Sequence, residues 1–452
     1  MSTLTLDSIR NCLEGFVPAM IATCDEHGTP NVALLSQVHY VDPDHVALSY
    51  QFFNKTRRNI LKTKTASVRL TDPVTVAMYR LGLQYEETQT SGPLFEAMKA
   101  KLAGIASHSG MESVFRLLGS DVYRLTSIDA VPCDPLPAPI VTRNLLSATR
   151  MACERLSECA ELSELFDSTL ASLDEFFGIE HAMLLIRDAA KDRLFTVASH
   201  GYPQSGVGSE VGFGEGVIGV AAREQIPIRI AHVTSDYRYG EAMRESARSA
   251  VANWEGITQI PFPGLRAPHS QIALPIRSHS ELAGILFAES TQAMRFWYDH
   301  EDALAVVAAT LGSMIEIVRD GEAKNLGSLP EGRTAKDSSP LTVRYYGLDG
   351  SVFLDNDYLI KGVAGAIFWK LAREFVESGR YEFTNRELRL DAALRLPAYA
   401  ENLEARLILL QKRLSERNNR IRIEKSGRGK FRLAVDCSLR LNQIEKAEEP
   451  AA

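Results

Sequence analysis

Apolar and polar positions change their period twice along the chain, which divides it into three stretches. Before residue 132 the apolar runs are short and strand-like: Pro18–Thr23, Asn31–Val41 and Val46–Phe53. Tight turns at Asp25-Glu26-His27-Gly28 and Asp42-Pro43-Asp44 separate them, and this predicts antiparallel hairpins. A short helix over Leu6–Leu13 precedes them, and another opens after Phe53 and runs to about Thr63. From Thr142 to Phe177 the period becomes helical and amphipathic. Strand-like runs follow at His181–Ile186, Arg193–Ser199, Ile226–Ala231, Gln271–Pro275 and Gly284–Ala288, and a closing helix spans His300–Arg319. Helices flanking an antiparallel sheet predict an α+β layer fold. The last stretch reads strand (Val343–Gly347), strand (Ser351–Leu354), helix (Gly365–Ser378), short helix, helix (Asn402–Arg417), hairpin. Thr384-Asn385-Arg386-Glu387 is a capping box for the short helix. In the hairpin Ile421 and Ile423 alternate inward on one strand, and Phe431, Leu433 and Val435 on the other.

Two segments interrupt these patterns. Val131–Pro139 has four prolines in nine residues, so no helix or central strand runs through it. Gly321–Pro340 is polar, contains Gly and Ser and lacks an apolar period, as a flexible linker does. The expected units are 1–132, 140–320 and 341–440, with a linker over 321–340 and an acidic, Ala-rich tail over 441–452. At 452 residues the chain has room for about three domains. Its 45% hydrophobic and 24% charged content excludes a disordered or fibrous protein. No membrane span or secretory leader is expected, because Ala303–Val318 is too short to span and carries Glu316. Six scattered cysteines make no disulfide framework, which fits a cytoplasmic protein. The net charge of −7 is uneven: residues 341–440 hold 19 Lys+Arg against 13 Asp+Glu. A basic module on an acidic body points to a polyanion partner at that end.

Lys55, Thr56, Arg57 and Arg58 stand at a strand-to-helix junction, where cations, a hydroxyl and free helix N–H groups together suit a phosphate. Through Gly28-Thr29-Pro30-Asn31-Val32, the strand Val46–Phe53, and Asn54-Lys55-Thr56 with Asn59, the first stretch resembles the pyridoxamine-5′-phosphate-oxidase-like FMN-binding split barrels. The resemblance implies that Lys55, Thr56 and Asn59, with Arg58, hold the flavin phosphate. It also implies that Ser36, Gln37, Ser49 and Tyr50 line the flavin edge. The Trp-Gln-Gly strand and Arg-Leu-His-Asp-Arg segment of true pyridoxamine phosphate oxidases do not occur, so vitamin B6 oxidation is not expected. Some members of the superfamily bind haem instead, and His27, His39, His45 and His108 are available for it.

The middle stretch resembles GAF domains through Gly212-Phe213-Gly214-Glu215-Gly216-Val217-Ile218-Gly219, Pro227-Ile228-Arg229-Ile230, Ala273-Leu274-Pro275-Ile276 and Leu282-Ala283-Gly284-Ile285-Leu286. Gly214, Gly216 and Gly219 spell G-x-G-x-x-G, with Asp236 further on. What precedes them is a Gly- and Ser-rich loop where the dinucleotide fingerprint needs an apolar strand. The GAF resemblance implies a small ligand between the sheet and the loop Thr234–His269, enclosed by Tyr237, Tyr239, Arg244 and Trp254, or else those side chains pack the loop onto the sheet. No cysteine lies between 160 and 436, which excludes a covalent bilin.

On the helix Asn402–Arg417, Leu403, Leu407, Leu410 and Leu414 form a core stripe, while Asn402, Arg406, Arg413 and Arg417 form an adjacent one. A helix with a basic face before a Gly-tipped basic hairpin fits a DNA groove and its flanking phosphates. Through Leu407–Leu414 and Gly427–Leu433 this stretch resembles the winged helix-turn-helix output domain of response regulators. That resemblance implies DNA contacts from Asn402, Arg406, Arg413 and Arg417 and, at the wing, Arg428 and Lys430. The competing reading is a basic helix packed on a neighbouring domain. The fold class expected is multidomain: an all-β split barrel, an α+β GAF sensor, then a winged helix-turn-helix. The function expected is a one-component ligand- or redox-responsive transcription regulator, dimeric through Thr142–Phe177 and His300–Arg319. The alternative is an FMN-dependent oxidoreductase with regulatory C-terminal parts.

Overall fold

The computed structural model describes residues 4–444 except 15–16, 36–37, 51–53, 100–101, 103–116, 139–142, 189–191, 232–259, 261, 280, 325–339, 348–349, 356, 392–393, 395–402, 418–419 and 428. A 3-10 helix (Asp7–Glu14) leads into a β-rich unit. It contains β1 (Ala19–Cys24), β2 (Pro30–Leu35), β3 (Val38–Asp42), β4 (His45–Tyr50), helix α1 (Lys55–Thr63), β5 (Thr65–Thr71), β6 (Met78–Gln89) and β7 (Gly119–Val131). The single strand expected over Asn31–Val41 is therefore two. Seven antiparallel strands run in the order β2-β1-β5-β6-β7-β4-β3. Bulges between Gly82/Leu83 and Tyr85/Glu87 bend the long β6–β7 pair, since each inserts an unpaired residue. Ile21, Val46, Val68, Leu81 and Tyr123 centre its core.

The middle region holds α2 (Leu145–Glu158), α3 (Leu162–Phe177), β8 (His181–Asp188), β9 (Arg193–His200), β10 (Glu210–Gly212), α4 (Gly216–Glu224), β11 (Ile228–Ile230), β12 (Ser270–Ser278), β13 (Glu281–Ser290) and α5 (Tyr298–Lys324). The helix expected over Thr142–Phe177 is broken, because Cys159 and Glu161 adopt extended backbone. Six antiparallel strands run β10-β9-β8-β13-β12-β11. One sheet face, with Leu184, Ile186, Leu274 and Leu286, packs on α3 and α5, and α2 packs on those two helices. The other carries α4 on Met183, Leu185, Ile285 and Phe287. At Gly312 a Cβ would stand 1.9 Å from the Arg277 carbonyl oxygen, so α5 sits directly on the β12 backbone. The apolar stripes expected to await a second copy are covered within the chain: Leu304, Val307, Leu311 and Ile315 are fully buried. Leu146, Val306 and Ile317 remain exposed on these helices. Among the described residues no helix is long and apolar enough to cross a membrane.

The C-terminal region comprises β14 (Leu341–Tyr346), β15 (Ser351–Leu354), β16 (Asp357–Ile360), α6 (Gly362–Ser378), β17 (Glu382–Thr384), α7 (Asn385–Leu390), α8 (Leu403–Arg417), β18 (Ile421–Gly427), β19 (Lys430–Val435) and β20 (Leu439–Ile444). Two small sheets, β16-β15-β14-β20 and β17-β19-β18, embrace the helices. The Thr384 hydroxyl accepts from the Glu387 N–H at 3.2 Å and caps α7, as the Thr-x-x-Glu spacing predicts. The last strand, β20, pairs in parallel with β14, a long-range contact that no local pattern announces. The core of this region runs without a break into that of α2, α3 and α5. The N-terminal core is separate except for Tyr298 of α5.

Candidate functional site

Three places in the molecule concentrate chemistry. The first is the start of α1. The Asn54 side chain accepts from the Arg57 N–H at 3.0 Å and caps the helix. Thr56 and Asn59, expected to hold phosphate, turn inward: the Asn31 amide donates to Thr56 Oγ1 at 2.9 Å, and Asn59 Nδ2 donates to Thr23 Oγ1 at 3.2 Å. Lys55 and Arg58 stay exposed. The central cation is Arg57, one of the junction cations but not among the residues that the flavin resemblance assigns to the phosphate. Its guanidinium lies 3.5 Å from the centre of the Tyr50 ring and pairs with the buried Asp121, whose Oδ1 also accepts from Thr88 at 2.5 Å. Burial, and then the Asp121 charge, push the Tyr123 hydroxyl well above the usual phenol range. Of the proposed flavin-edge residues, Ser49 sits half-buried opposite Ser120, whose buried Oγ finds no partner among the described residues; Ser36 and Gln37 lie outside the described residues. A flavin phosphate thus fits these residues in part: Lys55 and Arg58 are available at a helix N-terminus, while Thr56 and Asn59 are spent on the fold. Of the histidines considered for haem, His45 is bound to Asp42 at 2.8 Å, His27 is exposed in its turn, and His108 is outside the described residues.

The second place is the α4 face of the middle sheet. His181, Glu289 and Gln271 are cross-strand neighbours on β8, β13 and β12, and they form one polar row at the end of an otherwise apolar face. Glu289 is 2% exposed. Its carboxylate accepts from the Leu265 N–H at 2.7 Å and from Gln271 Nε2 at 3.1 Å. Tyr202 stacks edge-on against His181, and burial, then the Glu289 charge, hold its hydroxyl far above the ordinary range. The Gln271 Oε1 is buried with no hydrogen-bond partner among the described residues. This row offers acceptors inside an apolar wall, which is what binding a small donor-bearing molecule requires. Alternating polarity at the strand ends was the only sequence signal for it. Tyr237, Tyr239, Arg244 and Trp254 lie outside the described residues. The G-x-G-x-x-G run makes a turn: the Gly214 N–H donates to Gly219 O at 2.7 Å, and a Cβ at Gly219 would meet Gly212 O at 2.2 Å. The Glu215 carboxylate fills the turn, accepting from the Gly212 N–H at 2.9 Å, so the glycines serve close packing. A three-residue strand, β10, does precede the run, where a loop was expected.

The third place is α8. Leu403, Leu407, Leu410 and Leu414 form its core stripe as expected, and all four are buried. Arg406 and Arg413, expected to face a groove, are instead 7% and 3% exposed. In this arrangement α8 packs on α3 and β9, so the competing reading describes its position. Arg406 Nη2 lies 2.8 Å from Asp188 Oδ1, with the guanidinium 5.5 Å from the Phe195 ring centre. Arg413 donates to the Leu359 carbonyl at 3.1 Å and pairs with Glu416 at 3.2 Å; burial, then Arg417, lowers its pKa. Arg417 is exposed and Lys430 is half-buried on the hairpin; Asn402 and Arg428 lie outside the described residues. Sequence does not separate the two readings, for a physical reason: a basic stripe looks the same whether its counter-charges are phosphates or carboxylates of another part of the chain.

The sequence pattern of the GAF domain family matches residues 159–316, which takes in α3, the whole six-stranded sheet, α4 and most of α5. Residues 159–316 are a GAF domain. Solved structures similar to the chain include the GAF domain of a phosphoenolpyruvate-protein phosphotransferase from Acinetobacter, 16% identical, covering 40% of this chain and 96% of that one with a TM-score of 0.30. Free methionine-R-sulfoxide reductase from Neisseria meningitidis, in complex with its substrate, is 17% identical over 41% of this chain and 98% of that one, with a TM-score of 0.32. An FMN-binding protein from Syntrophomonas wolfei is 19% identical over 28% and 92%, with a TM-score of 0.24. No curated protein matches the chain. The polar row His181–Glu289–Gln271 therefore belongs to the GAF sheet, and Asp188 and Phe195, the residues that engage Arg406, lie on GAF strands β8 and β9.

Proposed function

We propose that this protein is a ligand-responsive regulator in which the GAF domain senses a small molecule and the C-terminal region binds DNA as a winged helix. The GAF domain carries the sensing half. Its row of His181, Glu289 and Gln271, with acceptors on Glu289 and Gln271, suits a ligand that presents hydrogen-bond donors, such as an amine. The DNA half is supported by the order of the three helices and the β18–β19 hairpin, and by nine basic against two acidic residues over Gln411–Arg432. The test is titration of the full chain with duplex DNA across a salt series. Binding should weaken steeply with salt, because each phosphate contact releases a counterion. Absence of binding at low salt, by the parent chain and by variants that lack the ion pairs between α8 and the GAF domain, rejects the reading.

In the same proposal the N-terminal β-rich unit holds FMN, with Lys55 and Arg58 at the start of α1 for its phosphate and Tyr50 near its ring. When bound, a flavin would supply a redox-sensitive ring; this chain's residues would do no more than orient it. The absorption spectrum of the purified protein, and its change on adding FMN, decides this part independently of DNA binding.

A further inference from the structure

The interface between α8 and the GAF domain has a consistent electrical polarity. The C-terminal region supplies the cations and the GAF domain and its flank supply the anions. Arg406 meets Asp188 at 2.8 Å, Lys412 meets Asp167 at 2.7 Å, Lys425 meets Glu161 at 2.7 Å and Lys361 meets Glu210 at 3.4 Å. Ser205 donates to Glu416 at 2.6 Å and closes the row. Arg406 and Lys412 come from α8 and Lys425 from the hairpin, the elements that a duplex would need, while Lys361 caps α6. Their partners lie on three GAF elements, α3, β8 and β10, and on the residue that caps α3. Beneath them a cavity of about 30 Å³ is lined by Phe195, Gly208, Ile260, Arg406 and Leu409. Ile260 lies on the long connection between β11 and β12, and its Cδ1 is 2.6 Å from where a Gly208 Cβ would stand. Leu265, on the same connection, donates its N–H to Glu289 of the polar row at 2.7 Å, so described residues of this connection meet both that row and the floor on which α8 rests.

We propose that the GAF domain holds the DNA-binding face of α8 shut, its carboxylates occupying the positions that DNA phosphates take when α8 is released. This rests on the regulator reading above. Docking and DNA binding compete for the same guanidinium and ammonium groups, so the chain binds DNA only through its released fraction, and apparent affinity falls in proportion to that fraction. Ligand binding on the opposite sheet face reaches the latch through Ile260 and Gly208, because both line its cavity.

The test is made on the full chain. Glu161→Gln with Asp167→Asn removes two exposed anions and leaves the core untouched; a second variant adds Asp188→Asn. Glu281→Gln with Asp299→Asn matches the double variant in net charge and, with Asp134→Asn added, matches the triple; these exposed carboxylates lie away from α8 and serve as control. Hydrogen exchange over residues 403–417 reports release, and fluorescence anisotropy with a labelled duplex at low salt reports DNA binding. The expected result is faster exchange in α8 and at least tenfold tighter DNA binding for the triple variant than for the control, with the double variant intermediate. Unchanged exchange in both variants overturns the proposal, because the ion pairs would not then be what holds α8. Faster exchange with DNA binding equal to the control overturns the latch and leaves the regulator reading standing. Faster exchange with no DNA binding by any form overturns both.

Discussion

Replacing Asp188 by Ala strands a guanidinium whose side chain is only 9% exposed. At 2.8 Å and with the carboxylate side chain 12% exposed, neither charge recovers much hydration when its partner goes. Breaking such a pair costs about 3–5 kcal/mol, because an uncompensated buried charge remains. Arg406→Ala removes that charge but also strips the side-chain stem from Phe195, so a loss of ~2–4 kcal/mol is expected from packing and from the stranded carboxylate. The apolar pair Asp188→Leu with Arg406→Met fills similar volume without charge and should lie within ~1–2 kcal/mol of the parent. The two single changes should therefore couple by ~2 kcal/mol or more in a double-mutant cycle. Urea unfolding followed by tryptophan fluorescence reads this, since Trp369 is 8% exposed and stacks on Tyr345 at 5.0 Å in the C-terminal core. The GAF and C-terminal cores are continuous, so one transition should report both. Single variants that each cost under ~0.5 kcal/mol and add without coupling would show that α8 is not electrostatically docked, and would refute the reasoning.

Gly312→Ala should destabilise by ~2 kcal/mol or more, because its Cβ meets the Arg277 carbonyl and α5 must lift from β12; thermal unfolding measures it. His300, half-buried, has its pKa pushed down to about 4 by desolvation and by the neighbouring Arg295 and Arg229 charges, so the native form carries it neutral. The unfolded imidazole titrates near ~6.5 and takes up the proton first. Stability should therefore fall as pH drops from about 6.5 to about 4, by at most ~3 kcal/mol, and His300→Phe should flatten that slope in a pH series of urea melts. Thr384→Ala removes the α7 cap and should cost ~1 kcal/mol, while Thr384→Ser keeps most of it. If the flavin part of the proposal holds, Lys55→Ala should weaken FMN uptake by roughly tenfold, while Thr56→Ala, whose hydroxyl is bonded to Asn31, should act through stability instead.

What the sequence by itself determined is local. The Asp- and Gly-bearing turns set β1–β2 and β3–β4, the Thr384 capping box set the start of α7, and alternation placed Ile421, Ile423, Phe431, Leu433 and Val435 inward. Each of these depends on neighbours within a few residues, where backbone sterics and solvent preference decide the outcome. The GAF domain was legible for the same reason, since its glycine turn and strand repeats are short-range devices. Tertiary structure alone decided the rest. Nothing near Cys159 forbids a helix, yet its backbone turns extended where its side chain enters the core, and α2 ends there. Arg57 outranks Lys55 only because β7 brings Asp121 beneath it across 64 residues. Arg406 and Arg413 form a basic stripe in any reading of the chain, but whether they meet solvent, phosphate or Asp188 depends on which surface folds against α8. A charge specifies the sign of its partner and not the partner's place in the sequence, so long-range ion pairs are settled only when the packed cores bring the two together.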